Sequence, residues 1–178
     1  RTRDVNEAII DQNILSNIES KGRPTLLFSL DGRKIEEFPV CVQNYIRLGE
    51  KMGVNRNTLV ATRKPWYKME QRNVPDFLFA YLGRRNSRFI KNDARVVPLT
   101  GFLCVYSLNR HPDYIEKLWN VLQEPEVINN LSLVGKSYGD GAVKVEPRAL
   151  ERLPIPSKII KKYHLRPQGI ATNLQLFA

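Results

Sequence analysis

The sequence has few of the residues that build metal, redox and membrane sites. It contains two cysteines and two histidines, and no two of these four side chains have the spacing of a zinc site. No apolar run approaches the roughly 18 residues of a membrane-spanning helix, and the first residues lack the apolar core of a signal peptide. These absences predict a soluble cytoplasmic piece of a longer protein, without a metal site, whose cysteines are buried free thiols.

The sequence also lacks the motifs that mark common catalytic sites. No Gly-rich turn separates a predicted strand from a predicted helix, so neither a dinucleotide fold nor a P-loop is indicated. The Glu-x-Lys pair expected of a metal-dependent nuclease does not follow Asp76 or Asp113. A Gly-x-Ser-x-Gly nucleophile motif is absent as well. We therefore expect no catalytic residue, bound cofactor or metal in this chain.

Positive charge is what the sequence has in excess. The 28 Lys and Arg residues exceed the 18 Asp and Glu residues by ten, and the isoelectric point is near 9.8. Residues 63–95 hold nine basic and three acidic residues, so six of the ten surplus charges lie there. Such clustering favours a polyanion partner, DNA or RNA, over an incidentally basic surface.

The N-terminal third has the patterning of helices around one short strand. Apolar spacing predicts helices at residues 4–20 and 37–52, with Pro39 in the first turn of the second helix and Gly53 as its C-terminal cap. The apolar run at 25–30 precedes a turn signal and predicts a strand.

From residue 59 onward, short aromatic and β-branched runs alternate with Pro, Gly and Asn. These runs predict the strands of a mainly antiparallel sheet: 59–61, 77–82, 88–90 and 102–107. The segment 83–87 predicts a hairpin loop within that sheet. The C-terminal patterns predict helices at 112–122 and 125–134, a strand at 142–145, helical turns at 147–152 and an extended segment at 153–156. The predicted fold class is therefore α+β, with a helical N-terminal part, a central mainly antiparallel sheet and short C-terminal helices.

Most candidate DNA ligands lie in the basic stretch 63–95. Basic groups neutralise phosphates, and Trp66 and Tyr67 could stack on bases, although core packing is favoured for Trp66. Arg84 and Arg85 lie in the predicted hairpin loop, where guanidinium groups can read guanine edges, and Asn86 can bond to bases or phosphates. The candidates are Arg63, Lys64, Trp66, Tyr67, Lys68, Arg72, Arg84, Arg85, Asn86, Arg88 and Lys91.

A second candidate segment is the Gly-rich stretch 135–147. Its glycines allow the backbone to come close to a partner, and Lys136, Tyr138 and Lys144 offer phosphate contacts. A hairpin held by turn glycines is an equally good interpretation of the same residues.

These two stretches also carry a resemblance to a known family. The motifs are Arg63-x-Pro65-Trp66-Tyr67-Lys68-x-Glu70, the strand pair at 77–92, Tyr138-Gly139-x-Gly141, and Lys144-x-Glu146-Pro147-x-x-Leu150-x-x-Leu153-Pro154-Ile155-Pro156. Together they resemble the C-terminal region of adenine-specific DNA methyltransferases of restriction-modification systems. Similar endings occur in specificity subunits of multi-subunit systems.

The resemblance implies a target-recognition domain that binds double-stranded DNA sequence-specifically while the target adenine is flipped out. It also implies a catalytic domain elsewhere in the parent polypeptide, which binds S-adenosylmethionine and carries an Asn/Asp-Pro-Pro-Tyr/Phe motif. No Pro-Pro dipeptide occurs in this chain. Methyl transfer is therefore expected only of the parent protein.

We predict one compact domain with three functional parts. Residues 1–62 are a mostly helical support segment, residues 63–165 are the DNA target-recognition core, and residues 166–178 are a tail expected to be poorly ordered. Three alternatives stay open: a self-contained DNA-acting enzyme, either nuclease or methyltransferase; a specificity subunit of a multi-subunit restriction-modification system; and a protein-interaction module that uses the apolar helix at 112–122.

Overall fold

The computed structural model describes residues 2–81, 87–99, 101–138 and 142–165, and the chain divides into two compact units. Unit 1 comprises Arg1–Arg23 and Asn73–Ala178, and unit 2 comprises Pro24–Arg72. The predicted tail at 166–178 lies outside the described residues. The functional division at residue 62 stays a prediction.

The secondary structure mixes helices and short strands. The described helices are α1 (Gln12–Ser20), α2 (Val40–Lys51), α3 (Thr58–Ala61), α4 (Pro112–Leu122), α5 (Pro125–Asn129), α6 (Leu131–Val134), α7 (Pro147–Leu150) and α8 (Ser157–Lys162). The described strands are β1 (Ile9–Ile10), β2 (Phe77–Ala80), β3 (Arg88–Asn92), β4 (Leu103–Val105), β5 (Lys136–Tyr138) and β6 (Ala142–Lys144). Short 3-10 turns occur at Thr2–Asp4, Ile35–Glu37 and Val54–Arg56.

A four-stranded sheet in the order β1-β3-β2-β4 forms the centre of unit 1. Strand β2 pairs antiparallel with both β3 and β4, and β1 joins the other side of β3 in parallel. The remaining strands, β5 and β6, form a separate two-stranded hairpin. The predicted α+β class with a mainly antiparallel sheet is confirmed.

Both faces of the central sheet are covered. On one face Phe77 and Phe79 pack with the C-terminal helices, where the Phe77 ring stacks on Trp119 at 6.0 Å between centroids. On the other face Leu78 and Ala80 pack against partly buried residues of α1. A strand buried on both faces reads as a continuous apolar run, which explains the sequence Phe-Leu-Phe-Ala.

Helix α4 matches its predicted bounds and belongs to the core. A proline in the first turn suits the start of a helix, because its missing N–H would have no partner there. Leu118, Trp119, Val121 and Leu122 are all buried in unit 1. The apolar face of this helix is therefore occupied, and the protein-interaction alternative loses its supporting observation.

Unit 2 has a much smaller core, built around α2. Phe38 and Ile46 are the buried apolar side chains of Pro24–Arg72, all of which the structure describes. Gly53 follows the helix with a φ of +74°, so the predicted glycine cap is confirmed. Pro39 precedes the helix as its N-cap, so the prediction that it lies in the first turn is wrong by one residue.

Three predicted elements are wrong. The helix predicted at 4–20 begins only at Gln12, where the Asp11 side chain accepts a hydrogen bond from the amide of Ile14, because the preceding isoleucines pair with β3. The run at 25–30 forms no strand and makes a single bridge, from Leu30 to Lys68. The run at 59–61 is helical in α3, since a short apolar run does not by itself distinguish helix from strand.

Two smaller corrections concern helix α5 and the cysteines. The helix predicted at 125–134 is two short helices, α5 and α6, joined at Asn130. Cys41 is exposed and Cys104 is partly buried, so the prediction of buried thiols is wrong. Cys41 lies on the outer face of α2, where unit 2 has no layer to cover it.

Candidate nucleic-acid interface

The basic stretch 63–72 lies in unit 2, directly after α3. Arg63, Lys64, Lys68 and Arg72 are exposed, as phosphate ligands must be. Arg72 forms a surface ion pair with Glu70 at 2.9 Å. Exposed pairs of this kind are weak, so a phosphate can displace the carboxylate.

Two of these cations have their positions fixed by neighbours in unit 2. The Arg63 Nη1 group lies 3.6 Å from the sulfur of Met69. The Lys68 side chain runs across Gly32, where a Cβ atom would come within 3.1 Å of its Cδ. The Lys68 side chain, which is exposed as a whole, therefore rests on the backbone of Gly32.

Trp66 is partly buried and is held by α2. Its Nε1 donates a hydrogen bond of 3.0 Å to Oε1 of Glu50, and its ring lies against Gly49. A Cβ atom at position 49 would approach Cη2 of the indole to 2.7 Å, which is closer than real Cβ contacts allow. These contacts agree with the packing role that the sequence favours for Trp66, and base stacking by this ring stays a prediction.

Tyr67 is tied to the segment before α2. Its hydroxyl donates a 2.6 Å hydrogen bond to the carbonyl oxygen of Arg33, and its ring meets Phe38 edge to face at 6.0 Å. Burial, together with the nearby Glu36 carboxylate, raises the pKa of Tyr67. The phenol is therefore a neutral hydrogen-bond donor that fixes this segment, and its contact with DNA stays a prediction.

The candidates in the central sheet belong to unit 1. Arg84, Arg85 and Asn86 lie outside the described residues. Arg88, at the start of β3, donates through Nη2 to the carbonyl oxygen of Val5 at 2.6 Å. This bond ties the N-terminal segment to the sheet.

Lys91 is engaged with acidic side chains. Its ammonium pairs with Glu116 and with Asp93, the latter at 3.3 Å, and only 13% of its side chain is exposed. Burial opposes the charged form, but the hydrogen bond from Lys91 to Glu116 and the charge of Asp93 outweigh it and raise its pKa. DNA contacts by Arg88 and Lys91 stay predictions, although both side chains have partners inside unit 1.

The Gly-rich segment forms the predicted hairpin. In its register Lys136 stands directly opposite Lys144, with Ser137 opposite Val143 one step nearer the turn. Lys136 is exposed and Lys144 is partly buried. Directly opposed residues of an antiparallel pair have Cβ atoms about 4.5–5.5 Å apart. The two lysine side chains thus leave the hairpin from neighbouring positions on one face, and neither has an acidic partner among the described residues.

The pairing of these two lysines can be predicted from their spacing in the sequence. Lys136 and Lys144 are each four positions from Asp140, the middle residue of Gly139-Asp140-Gly141. Equal distance from a hairpin turn predicts that two residues are cross-strand neighbours. Both lysines are predicted phosphate ligands, and this spacing adds that they form a pair.

Other features of the described residues give no second site. An open pocket of about 430 Å³ in unit 1 has three acidic and three basic lining side chains, so the charges balance: Asp76, Asp93, Glu116, Lys91, Arg95 and Arg110. In the described part of the chain, His, Cys, Asp and Glu form no group of three that could hold a metal ion. No helix of those residues has the length and apolar character required to cross a membrane.

Comparison with known proteins connects these features to a family. The family model described as "Type II methyltransferase M.Eco57I, C-terminal domain" matches residues 1–174. The chain is also similar to the Type II methyltransferase M.AccI of Acinetobacter calcoaceticus, with 28% identity over 113 residues. That match covers 62% of this chain and 21% of M.AccI, so the chain spans about a fifth of the curated relative. No solved structure matches significantly. The resemblance to the C-terminal region of a restriction-modification methyltransferase is confirmed.

Proposed function

The chain belongs to the family of the C-terminal domain of the Type II methyltransferase M.Eco57I, and we propose that it is a target-recognition domain that binds double-stranded DNA sequence-specifically. In this proposal the parent protein is an adenine-specific methyltransferase of a restriction-modification system in the cytoplasm. Its catalytic domain binds S-adenosylmethionine and receives the flipped adenine, while this chain holds the duplex. The net charge of +10 supports a polyanionic partner.

The observation that carries the proposal is the cross-strand pair of Lys136 and Lys144. Like charges directly opposite one another destabilise a sheet, by up to about 1 kcal/mol per pair. A DNA phosphate between the two ammonium groups would remove that repulsion and accept hydrogen bonds from both. The hairpin should therefore be more stable when a polyanion is bound than in the free protein.

Unit 2 supplies further cations of the same kind. Arg63, Lys64 and Lys68 are exposed and follow one another within six residues of the chain. Contacts to phosphate set affinity and orientation, whereas the recognised base sequence must be read by side chains that reach base edges. In our proposal Arg84, Arg85 and Asn86 are these readers, and the hairpin lysines and the unit 2 cations hold the backbone.

Binding of a labelled duplex, measured by fluorescence anisotropy over a range of salt concentrations, tests the proposal. Each phosphate neutralised contributes about 0.9 to the slope of log affinity against log salt, so the double variant Lys136→Gln with Lys144→Gln, which gives up one shared phosphate, should lower the slope by about 1. The matched control is Lys117→Gln with Lys158→Gln, which removes the same charge from lysines already paired with Asp113 and Glu126 at 2.6 and 2.5 Å.

The two double variants separate a specific site from net charge. We expect the control to keep the wild-type slope and most of the affinity. Equal losses in both variants would show that only total charge matters, and wild-type binding without salt dependence would refute the proposal.

A further inference from the structure

Helix α2 and its C-cap residue Met52 carry an apolar stripe on the outer face, which we call the α2 stripe: Cys41, Tyr45, Leu48 and Met52. The successive spacings of four, three and four residues place these side chains on one side of the helix. The exposed fractions are 63% for Tyr45, 51% for Leu48 and 72% for Met52, and Cys41 is exposed as well.

The packing of unit 2 fixes the direction of this stripe. On another side of α2, Ile46 is buried, and Gly49, at the border of that side, lies against Trp66. Because that inner face is occupied by the unit's own core, the helix cannot rotate to bury the stripe. The orientation of the α2 stripe toward solvent is therefore a property of the fold of unit 2.

The apolar surface extends beyond the helix. Phe28, itself half exposed, meets the Tyr45 ring edge to face with the centroids 5.5 Å apart, and Leu26 and Leu27 precede it in the chain. Single exposed apolar residues are ordinary, but contiguous apolar patches mark interaction sites. A phosphate backbone is a poor occupant, because the α2 stripe holds no cation and apolar side chains cannot neutralise phosphate.

We propose that the α2 stripe docks the part of the same methyltransferase polypeptide that lies outside this chain. The inference rests on the proposed function and adds the surface that joins this domain to the rest of the enzyme. About four fifths of M.AccI lies outside its match to the chain, so a large covalently linked partner is available in a relative. Permanent interfaces are more apolar than transient ones, and a linked partner is present at high effective concentration.

Cys41 provides the test, because it is the cysteine within the stripe. The full-length methyltransferase and this chain alone are treated with N-ethylmaleimide, and labelling of Cys41 is followed by peptide mass spectrometry. We expect labelling in the full-length enzyme to be at least about tenfold slower than in the chain alone, since a covered thiol reacts only after local opening. The variant Leu48→Asp, an exposed substitution expected to preserve folding, should restore fast labelling in the full-length enzyme.

A matched control places the thiol elsewhere on the same helix. In the variant Cys41→Ser with Arg47→Cys, the new thiol replaces an exposed polar side chain away from the stripe, and it should react equally fast in both proteins. Equal labelling of Cys41 in both proteins would overturn the proposal. Protection of Cys41 already present in the isolated monomeric chain would also overturn it, because this chain would then cover the surface itself. Protection that grows with the concentration of the isolated chain would overturn it as well, because a second copy would then cover the surface.

The Cys41 labelling test and the duplex-binding test can fail independently of each other. Duplex binding by the isolated chain is measured without the remainder of the enzyme, and Leu48→Asp should leave it unchanged. A salt slope that stays unchanged in the double variant Lys136→Gln with Lys144→Gln would refute DNA recognition by the hairpin, while the protection of Cys41 would still be judged by its own measurement.

Discussion

Replacing Gly49 with alanine should destabilise unit 2, although the same change usually stabilises a helix. Gly49 lies in α2 with an ordinary helical backbone, so helix propensity alone favours alanine by about 1 kcal/mol. The added methyl group would lie 2.7 Å from Cη2 of Trp66, and the three nearest atoms all belong to that indole. A rigid ring must move as a whole to relieve such a contact.

Two unfavourable terms outweigh the propensity. Overpacking of this kind costs about 1–3 kcal/mol. Displacing the indole also weakens its 3.0 Å hydrogen bond to Glu50, a further loss of about 1 kcal/mol at this partly exposed position. The net expectation for Gly49→Ala is a destabilisation of about 1–3 kcal/mol.

A double-mutant cycle with Trp66→Ala gives the decisive comparison. Once the indole is gone, Gly49→Ala meets no clash and should stabilise unit 2 by up to about 1 kcal/mol, so the sign of its effect reverses. Hydrogen exchange of the α2 amides reports the free energy of local opening of unit 2. Urea unfolding followed by circular dichroism gives the free energy of unfolding of the whole chain. A stabilising effect of Gly49→Ala in the wild-type background would refute the reasoning.

Two further perturbations probe unit 1. The buried Asn92 donates to the carbonyl oxygens of Pro75 and Val96 and accepts from the Val96 amide, so Asn92→Ala should lower the free energy of unfolding by about 2–4 kcal/mol in urea titrations. A loss below about 0.5 kcal/mol would contradict this role. The hydrogen bond from Lys162 lowers the pKa of Glu124, so its stabilising contribution is complete above its ordinary value near 4.5 and is lost as the pH falls through the lowered value. Glu124→Gln should therefore flatten the acid side of the stability profile, and an unchanged profile would argue against that pair.

Local sequence signals were sufficient where an element depends on its own residues. Helix α4 was predicted with its correct bounds, because a first-turn proline and a strong apolar period act within the same eleven residues. The strands β2 and β3 were likewise found from dense aromatic and β-branched runs.

Long-range pairing explains what the sequence did not reveal. Ile9 and Ile10 have a helix-compatible spacing, but they pair with Lys91 and Asn92, about 80 residues later, and no local pattern reports such a partner. Conversely, the apolar run at 25–30 has the composition of a strand, but no described strand lies beside it to pair with its backbone. Leu26 therefore remains exposed. Of the candidate site, the sequence identified both hairpin lysines, and the strand register shows that they are a cross-strand pair.

Unit 1 is discontinuous in the sequence, which determines where this chain can accept changes in length. Strands β1 and β3 are neighbours in the sheet although the whole of Pro24–Arg72 lies between them in the sequence. The entropy lost on closing such a loop grows only with the logarithm of its length, by about 0.6 kcal/mol for each doubling. The sheet can therefore accept an insert that is longer, shorter or of different sequence at small thermodynamic expense, so unit 2 can change in length and sequence while the sheet of unit 1 stays intact.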